Sequence, residues 1–322
     1  MDDFLGRADD DLLQRVRDVD GLEMAQRLDE LALAGDVCRE LQRHWDETRE
    51  SVRWSSLLAS LVAFVERGRG AIDQPLTVWA DLNECGPSGR LLYYYLFALQ
   101  VRELGAWFSQ VGLPQDVWVA TISALARHGE THRLKHGSVG VDAGWWMLPI
   151  LRGEIVQVQN LKFHRVRLGL GPLSPRPWLD SDSAAALGEG FRVGDQSVGV
   201  HIPARVNLGD EALDATFSRA RDVLGAVWPS ETRRIATCQS WMMDERLVEA
   251  LGIESRIVRF QRRFELIAPV ENDSETVVSF VFGRNSVPWP ELRATTRLQR
   301  AVLEVLARGE QWHNRTGWFE FD

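Results

Sequence analysis

His201 closes a run of alternating residues. Val198, Val200 and Ile202 share one face, while Ser197, Gly199 and His201 share the other. That period is a strand's. Pro203 cannot donate to a ladder and ends it. The loop Ala204-Arg205-Val206-Asn207-Leu208-Gly209 follows, and Asp210 reads as the N-cap of a helix entered at Glu211. A strand that runs through a loop into a helix start makes an anion site. N–H groups point out of the helix there, and the macrodipole favours negative charge. Plain packing accounts for such a unit equally well, since many folds contain one. An imidazole at the strand's end titrates in the range suited to moving protons. The structural alternative is a histidine bonded to a backbone carbonyl. In the next strand, Arg234–Trp241, Cys238 and Ser240 fall on one face and Gln239 on the other. The thiol needs an activating partner to act as a nucleophile, and the sequence offers none, so a buried inert cysteine is its plain reading.

These residues need elements to hold them. Leu213, Phe217, Ala220 and Leu224 give the helix after Asp210 a buried face. Asp244–Leu251 reads as a short helix capped by Asp244. Arg256–Ile267 alternates and reads as a strand, with Arg259 and Arg263 on its polar face. Thr276–Phe282 reads as its hairpin partner, and Thr296–Arg308 as a helix before one last strand in WHNRTGWFEFD. Upstream, Trp145–Leu151 and Ile155–Phe163 flank Arg152-Gly153-Glu154 and read as a hairpin. The first part is helical: Asp11–Val19, Leu22–Leu33, Asp36–Asp46, a helix capped by Ser51, a nearly all-apolar segment Gly89–Val111, and a helix from Pro114 to about His128. Leu76–Leu82 reads as a short strand or a turn. GSVGVDAG, beginning at Gly137, marks the junction, dividing the chain into a helical domain, 1–136, and a second domain, 137–322. The fold class is α+β.

The 322 residues carry a net charge of −9, which argues against nucleic-acid and anionic-membrane partners because both need a basic face. The start MDDFLGRADDD lacks the apolar run of a signal peptide, and Leu91–Leu99 is too short to span a bilayer, so a cytoplasmic protein is expected. Cys38, Cys85 and Cys238 are far apart and odd in number, with no C-x-x-C and no zinc spacing. No catalytic triad, metal set, Walker loop or dinucleotide fingerprint is read.

The order β-β, β-α, β-α, β-β, helix resembles the GCN5-related N-acetyltransferase (GNAT) fold. The sequence is similar to an actinobacterial branch with a helical N-terminal domain and a GNAT-like C-terminal domain. The residues that carry this are Val200–Pro203 (VHIP), Cys238–Asp244 (CQSWMMD), Ser255–Phe264, Val281–Gly283, Leu298–Val302 and the closing GWFEF, and VQNLKF at Val158–Phe163 stands where the branch often has a Gly-Arg-Leu-Gln-Phe strand. The resemblance implies an acyl-CoA-dependent N-acyltransferase that passes an acyl group, acetyl above all, to the amine of a small molecule in one ternary complex. It implies no metal. It places the CoA pyrophosphate on the segment Ile202, Arg205, Val206, Asn207, Leu208, Gly209 and Asp210, and a V-shaped opening beside the strand. His201 is then the candidate base for the ammonium proton. Ser240 or Cys238 is the candidate that protonates the departing thiolate or bonds the thioester. Arg259 and Arg263 are candidates to line an acidic acceptor's site. The helical half is expected to shape the acceptor pocket, with Trp54, Trp79 and Trp107 as core or cleft wall. The loop has a single glycine, and the only tyrosines are Tyr93, Tyr94 and Tyr95 in the helical half. That departure supports an alternative, a catalytically silent CoA- or metabolite-binding module in a biosynthetic or regulatory complex.

Overall fold

The computed structural model describes residues 10–72, 82, 85–142, 144–170, 177–188, 190–283 and 288–321, with backbone alone for 268–271. The chain divides into two compact units, residues 1–157 and 158–322.

The first unit is helical: α1 Asp10–Asp18, α2 Gly21–Asp29, α3 Gly35–Glu50, α4 Val52–Gly68, α5 Gly86–Gln110, α6 Gln115–Ile122, α7 Ala124–His136 and the short α8 Leu148–Leu151. Ser51 caps α4, accepting from the Trp54 amide. Helix α5 is apolar on all sides and is buried throughout from Leu91 to Gln100. Its Tyr95 hydroxyl donates to the Leu41 carbonyl at 2.8 Å, and the Trp45 indole donates to the Val19 carbonyl at 2.8 Å, so the large polar rings of this core are satisfied. Trp54 is buried and Trp107 half-buried. Trp79 and all of Leu76–Leu82 but Leu82 lie outside the described residues.

Two expectations for this region are corrected. The helix after Pro114 is two helices, broken at Ser123. The Ser123 hydroxyl bonds back to the Ala120 carbonyl at 2.9 Å, an alternative to helical pairing that bends the chain. Trp145–Leu151 is not a strand: it forms a 3₁₀ turn, Gly144–Met147, and then α8, because Pro149 has no N–H to give a ladder. The hairpin lies further on, between β1 Ile155–Val158 and β2 Leu161–Arg167. Its turn contains Gln159 at φ +48°.

The remaining elements are α9 Ser181–Ala186, β3 Gln196–His201, α10 Asp210–Val227, β4 Ile235–Ser240, α11 Arg246–Leu251, α12 Arg256–Gln261, β5 Glu265–Asn272, α13 Ser274–Phe282, α14 Arg297–Ala307 and β6 His313–Glu320. The strands form one mixed sheet of order β1-β2-β3-β4-β6-β5, and the class is α+β as expected. Two segments read as strands are helical. Arg256–Gln261 is α12: Val258, Phe260 and Gln261 are all buried, and the adjacent burial of Phe260 and Gln261 fits a helix face and not a two-residue alternation. The strand follows it, at Glu265. Thr276–Phe282 lies in α13, which Gly283 ends in the left-handed conformation at φ +66°. Val258 and Val277 then meet Leu247, Val302, Val305 and Trp312 in one apolar cluster.

Candidate active site

Pairing decides where the sheet opens. Strand β3 runs antiparallel to β2 along its whole length, from Arg167↔Gln196 to Lys162↔His201. Against β4 it is parallel and pairs only at Val198↔Ala236 and Gly199↔Thr237. Beyond those two residues β4 stays with β6 as far as Ser240↔Arg315. The two strands therefore part after Gly199 and Thr237. His201 and Ile202 stand on one lip of the opening, and Gln239 and Ser240 on the other.

Register also sorts the faces, because directly opposed residues point the same way. Lys162, His164, Gly199, His201, Thr237 and Gln239 share one face. Phe163, Val200 and Cys238 share the opposite one, which α10 covers. Phe217 of α10 meets Phe163 at 6.1 Å and Phe319 at 5.1 Å, both edge to face. The structure thus separates the sequence candidates. Cys238 is buried under the helix, and burial pushes its thiol up to about 12, so it stays protonated and inert. Ser240 caps the 3₁₀ turn Trp241–Met243, its hydroxyl accepting from the Met242 amide at 3.1 Å.

His201 has company that sequence reasoning missed. His164 Nδ1 lies 3.3 Å from His201 Nε2, so one proton bridges the two rings. His164 and Lys162 are themselves buried. Burial first, then the charges of His164 and Lys162, hold the His201 pKa well below its usual 6.5. The imidazole is neutral at neutral pH. Gly199 lies between both rings: a Cβ there would be in ordinary contact, 3.4 Å from His164 Cβ and 3.6 Å from His201 Nε2. Lys162 and His164 alternate with Leu161 and Phe163, a strand's period, but nothing local in the sequence pairs them with His201.

The loop 202–209 is shaped by two features. Arg205 is left-handed at φ +62°. Asn207 Oδ1 accepts from the Gly209 amide at 3.0 Å, an Asx turn that leads into α10. Gly209, not Asp210, is the N-cap, and Asp210 is the first helical residue. The first amide to bond a carbonyl at the helix start is that of Leu213, to Gly209 at 3.0 Å. The amides of Asp210, Glu211 and Ala212 therefore precede the helical ladder and point out of it. The Asp210 carboxylate beside them is offset by Arg259 at 3.4 Å and Arg263 at 3.3 Å, and Arg263 also meets Asp214 at 2.5 Å. Those two arginines, expected on a strand face, instead neutralise the acidic end of α10. An anion arriving there meets outward amides with the local carboxylate already paired. Asp244 holds the far lip: its carboxylate accepts from the Arg246 amide at 3.0 Å and the His313 amide at 2.8 Å.

A second cluster that sequence reasoning passed over is His132, His136 and Asp142 at the end of α7, whose donor atoms lie within 4.8 Å of one another.

With this geometry in view, residues 155–319 match the GNAT-like C-terminal domain and residues 23–153 the N-acyltransferase N-terminal domain. The chain belongs to that family and is an acyltransferase; the resemblance read from its motifs holds for both domains. No curated protein matches it in sequence. Among solved structures it is similar to a mutant acyltransferase in complex with octanoyl-CoA, at 26% identity and a TM-score of 0.77 over 91% of this chain and 86% of that one. An acyltransferase in complex with decanoyl-CoA and teicoplanin is 26% identical, with a TM-score of 0.75 over 92% and 86%. One in complex with CoA and 10C-teicoplanin is 25% identical, with a TM-score of 0.75 over the same shares. Among the described residues no helix is long and apolar enough to cross a membrane.

Proposed function

We propose that this acyltransferase moves an acyl group from acyl-CoA to the amine of a small molecule, by direct attack within a ternary complex. The observation that carries the reading is the parting of β3 and β4 after two paired residues, with His201 on its lip. The pantetheine arm enters that opening. The pyrophosphate rests on the outward amides of Asp210, Glu211 and Ala212, with Arg205 and the turn from Ile202 through Val206, Asn207, Leu208 and Gly209 as its rim. His201, neutral because of its surroundings, takes the ammonium proton directly or through one water. The freed amine attacks the thioester carbonyl, whose oxygen is polarised by a backbone N–H at the end of β3. As the tetrahedral intermediate collapses and the C–S bond breaks, the attacking nitrogen passes its second proton through water to the departing thiolate, and His201 returns the first proton to solvent. No metal is needed for these steps.

Acetyl is the acyl group that the sequence resemblance favours. The relatives at 26% identity hold octanoyl-CoA and decanoyl-CoA, so the donor we propose is of that medium length. The glycopeptide bound by one relative suggests an amine on a bulky, polar acceptor. Thiol release is the test, run with acetyl-, octanoyl- and decanoyl-CoA against amino sugars, glycopeptides and polyamines. Faster release with the medium chains and at least one amine is expected. CoA binding without amine-dependent release across the panel would favour the silent binding module instead.

A further inference from the structure

We propose that His132, His136 and Asp142 form a site for a first-row divalent cation, zinc by preference. Helix α7 sets the two histidines four residues apart, on one face of its last turn. Gly137 closes the helix in the left-handed conformation, φ +69°, with its amide on the Arg133 carbonyl at 2.9 Å. The chain then folds back and delivers Asp142 to the same face. Asp142 Oδ1 lies 3.0 Å from His132 Nδ1 and 3.0 Å from His136 Nε2. The two rings are 4.4 Å apart between centroids. Ligand atoms on a tetrahedral zinc stand about 3.3 Å from one another, given bonds of roughly 2.0–2.2 Å. The two carboxylate–nitrogen gaps open by a few tenths of an ångström to admit an ion, and the three donor atoms, all within 4.8 Å of one another, adjust the rest by side-chain rotation.

The spacing H-x3-H-x5-D is that by which one class of zinc peptidases presents its three ligands from a helix and the turn after it, here with a carboxylate third. Those enzymes carry a glutamate base directly after the first histidine; this chain has Arg133, which pairs with Asp36 at 2.9 Å. The site therefore lacks the group that activates a metal-bound water. Its role is to tie the end of α7 to the segment that follows. His132 is buried, His136 is exposed, and Asp142 is half-buried, which leaves a way in from solvent and a fourth position for water. Lys135 Nζ sits 3.5 Å from the other Asp142 oxygen, Oδ2, and competes with the ion for the carboxylate's charge.

The full chain, stripped of metal with a chelator, would be titrated with zinc in competition with a chromophoric chelator, and with cobalt to read its visible bands. One equivalent is expected to bind, and zinc is expected to raise the melting temperature. His136→Gln and Asp142→Asn should weaken binding at least tenfold and abolish that rise, His44→Gln should leave both unchanged, and Lys135→Met should tighten binding several-fold. His136 is exposed, so its variant should fold. Absence of stoichiometric zinc, or equal affinity in wild type, H136Q and D142N, would overturn the proposal and leave the cluster as a hydrogen-bonded helix end. Neither result bears on acyl transfer, because none of these residues belongs to that site.

Discussion

At the scale of residues, the proposed site depends on making one histidine neutral. The folded pKa of His201 is held below 6.5, mainly by burial, and the unfolded value is close to 6.5. Between those two values the unfolded chain binds a proton that the folded chain refuses. Stability therefore rises with pH through that window and is lost as pH falls below about 6.5. Chemical denaturation at several pH values should show this slope in the wild type and a flatter one in His201→Gln; equal slopes would mean that burial does not tune this ring. Arg205 adopts a conformation that suits glycine, a strain of about 1–3 kcal/mol. Arg205→Gly should therefore keep or raise the melting temperature while raising the KM for acyl-CoA about tenfold at unchanged kcat, since a charge-assisted bond contributes roughly 1.5–3 kcal/mol. An unchanged KM would remove Arg205 from the phosphate rim. His201 and the loop after it were legible in the sequence because strand period and helix-start chemistry are local. His164 and Lys162 were not. They reach the site through the β2–β3 register, a pairing that no local pattern announces.

At the scale of elements, the strand–loop–helix unit is legible, and the two C-terminal segments that read as strands but fold as helices differ in cause. In Ser255–Phe264 the apolar residues fit period two and period 3.6 alike, and it is the burial of the polar Gln261 next to Phe260 that marks the helix. In α13 the β-branched run Thr276-Val277-Val278 suggested a strand, but Gly283 in its left-handed conformation was a helix-end signal in plain view. The sheet has its own close-packed position. Gly317 of β6 lies opposite Cys238, and a Cβ there would come within 2.7 Å of Phe264 Cβ and 3.3 Å of Met243 Sδ. Gly317→Ala should cost about 1–3 kcal/mol by overpacking, read as a lower denaturation midpoint with unchanged slope. A midpoint equal to the wild type's would show that β5 and β6 yield more easily than this packing implies.

At the scale of the molecule, a helical unit is followed by a mixed sheet that opens between two parallel strands, and the chain belongs to a family of acyltransferases. Net charge of −9 and the proposed CoA phosphate site are compatible, because backbone amides at the start of α10 would attract the anion without a basic surface. His201, on the lip of the opening, is proposed as the base for acyl transfer to an amine. The most direct measurement is the turnover number for thiol release with octanoyl-CoA and a competent amine, compared between wild type and His201→Gln on folded protein of equal melting behaviour. A fall of about 10²–10⁴-fold is expected with nearly unchanged acyl-CoA affinity, and a wild-type acid limb below 6.5 that the variant lacks. A variant that turns over at the wild-type rate, with the same acid limb, would contradict it.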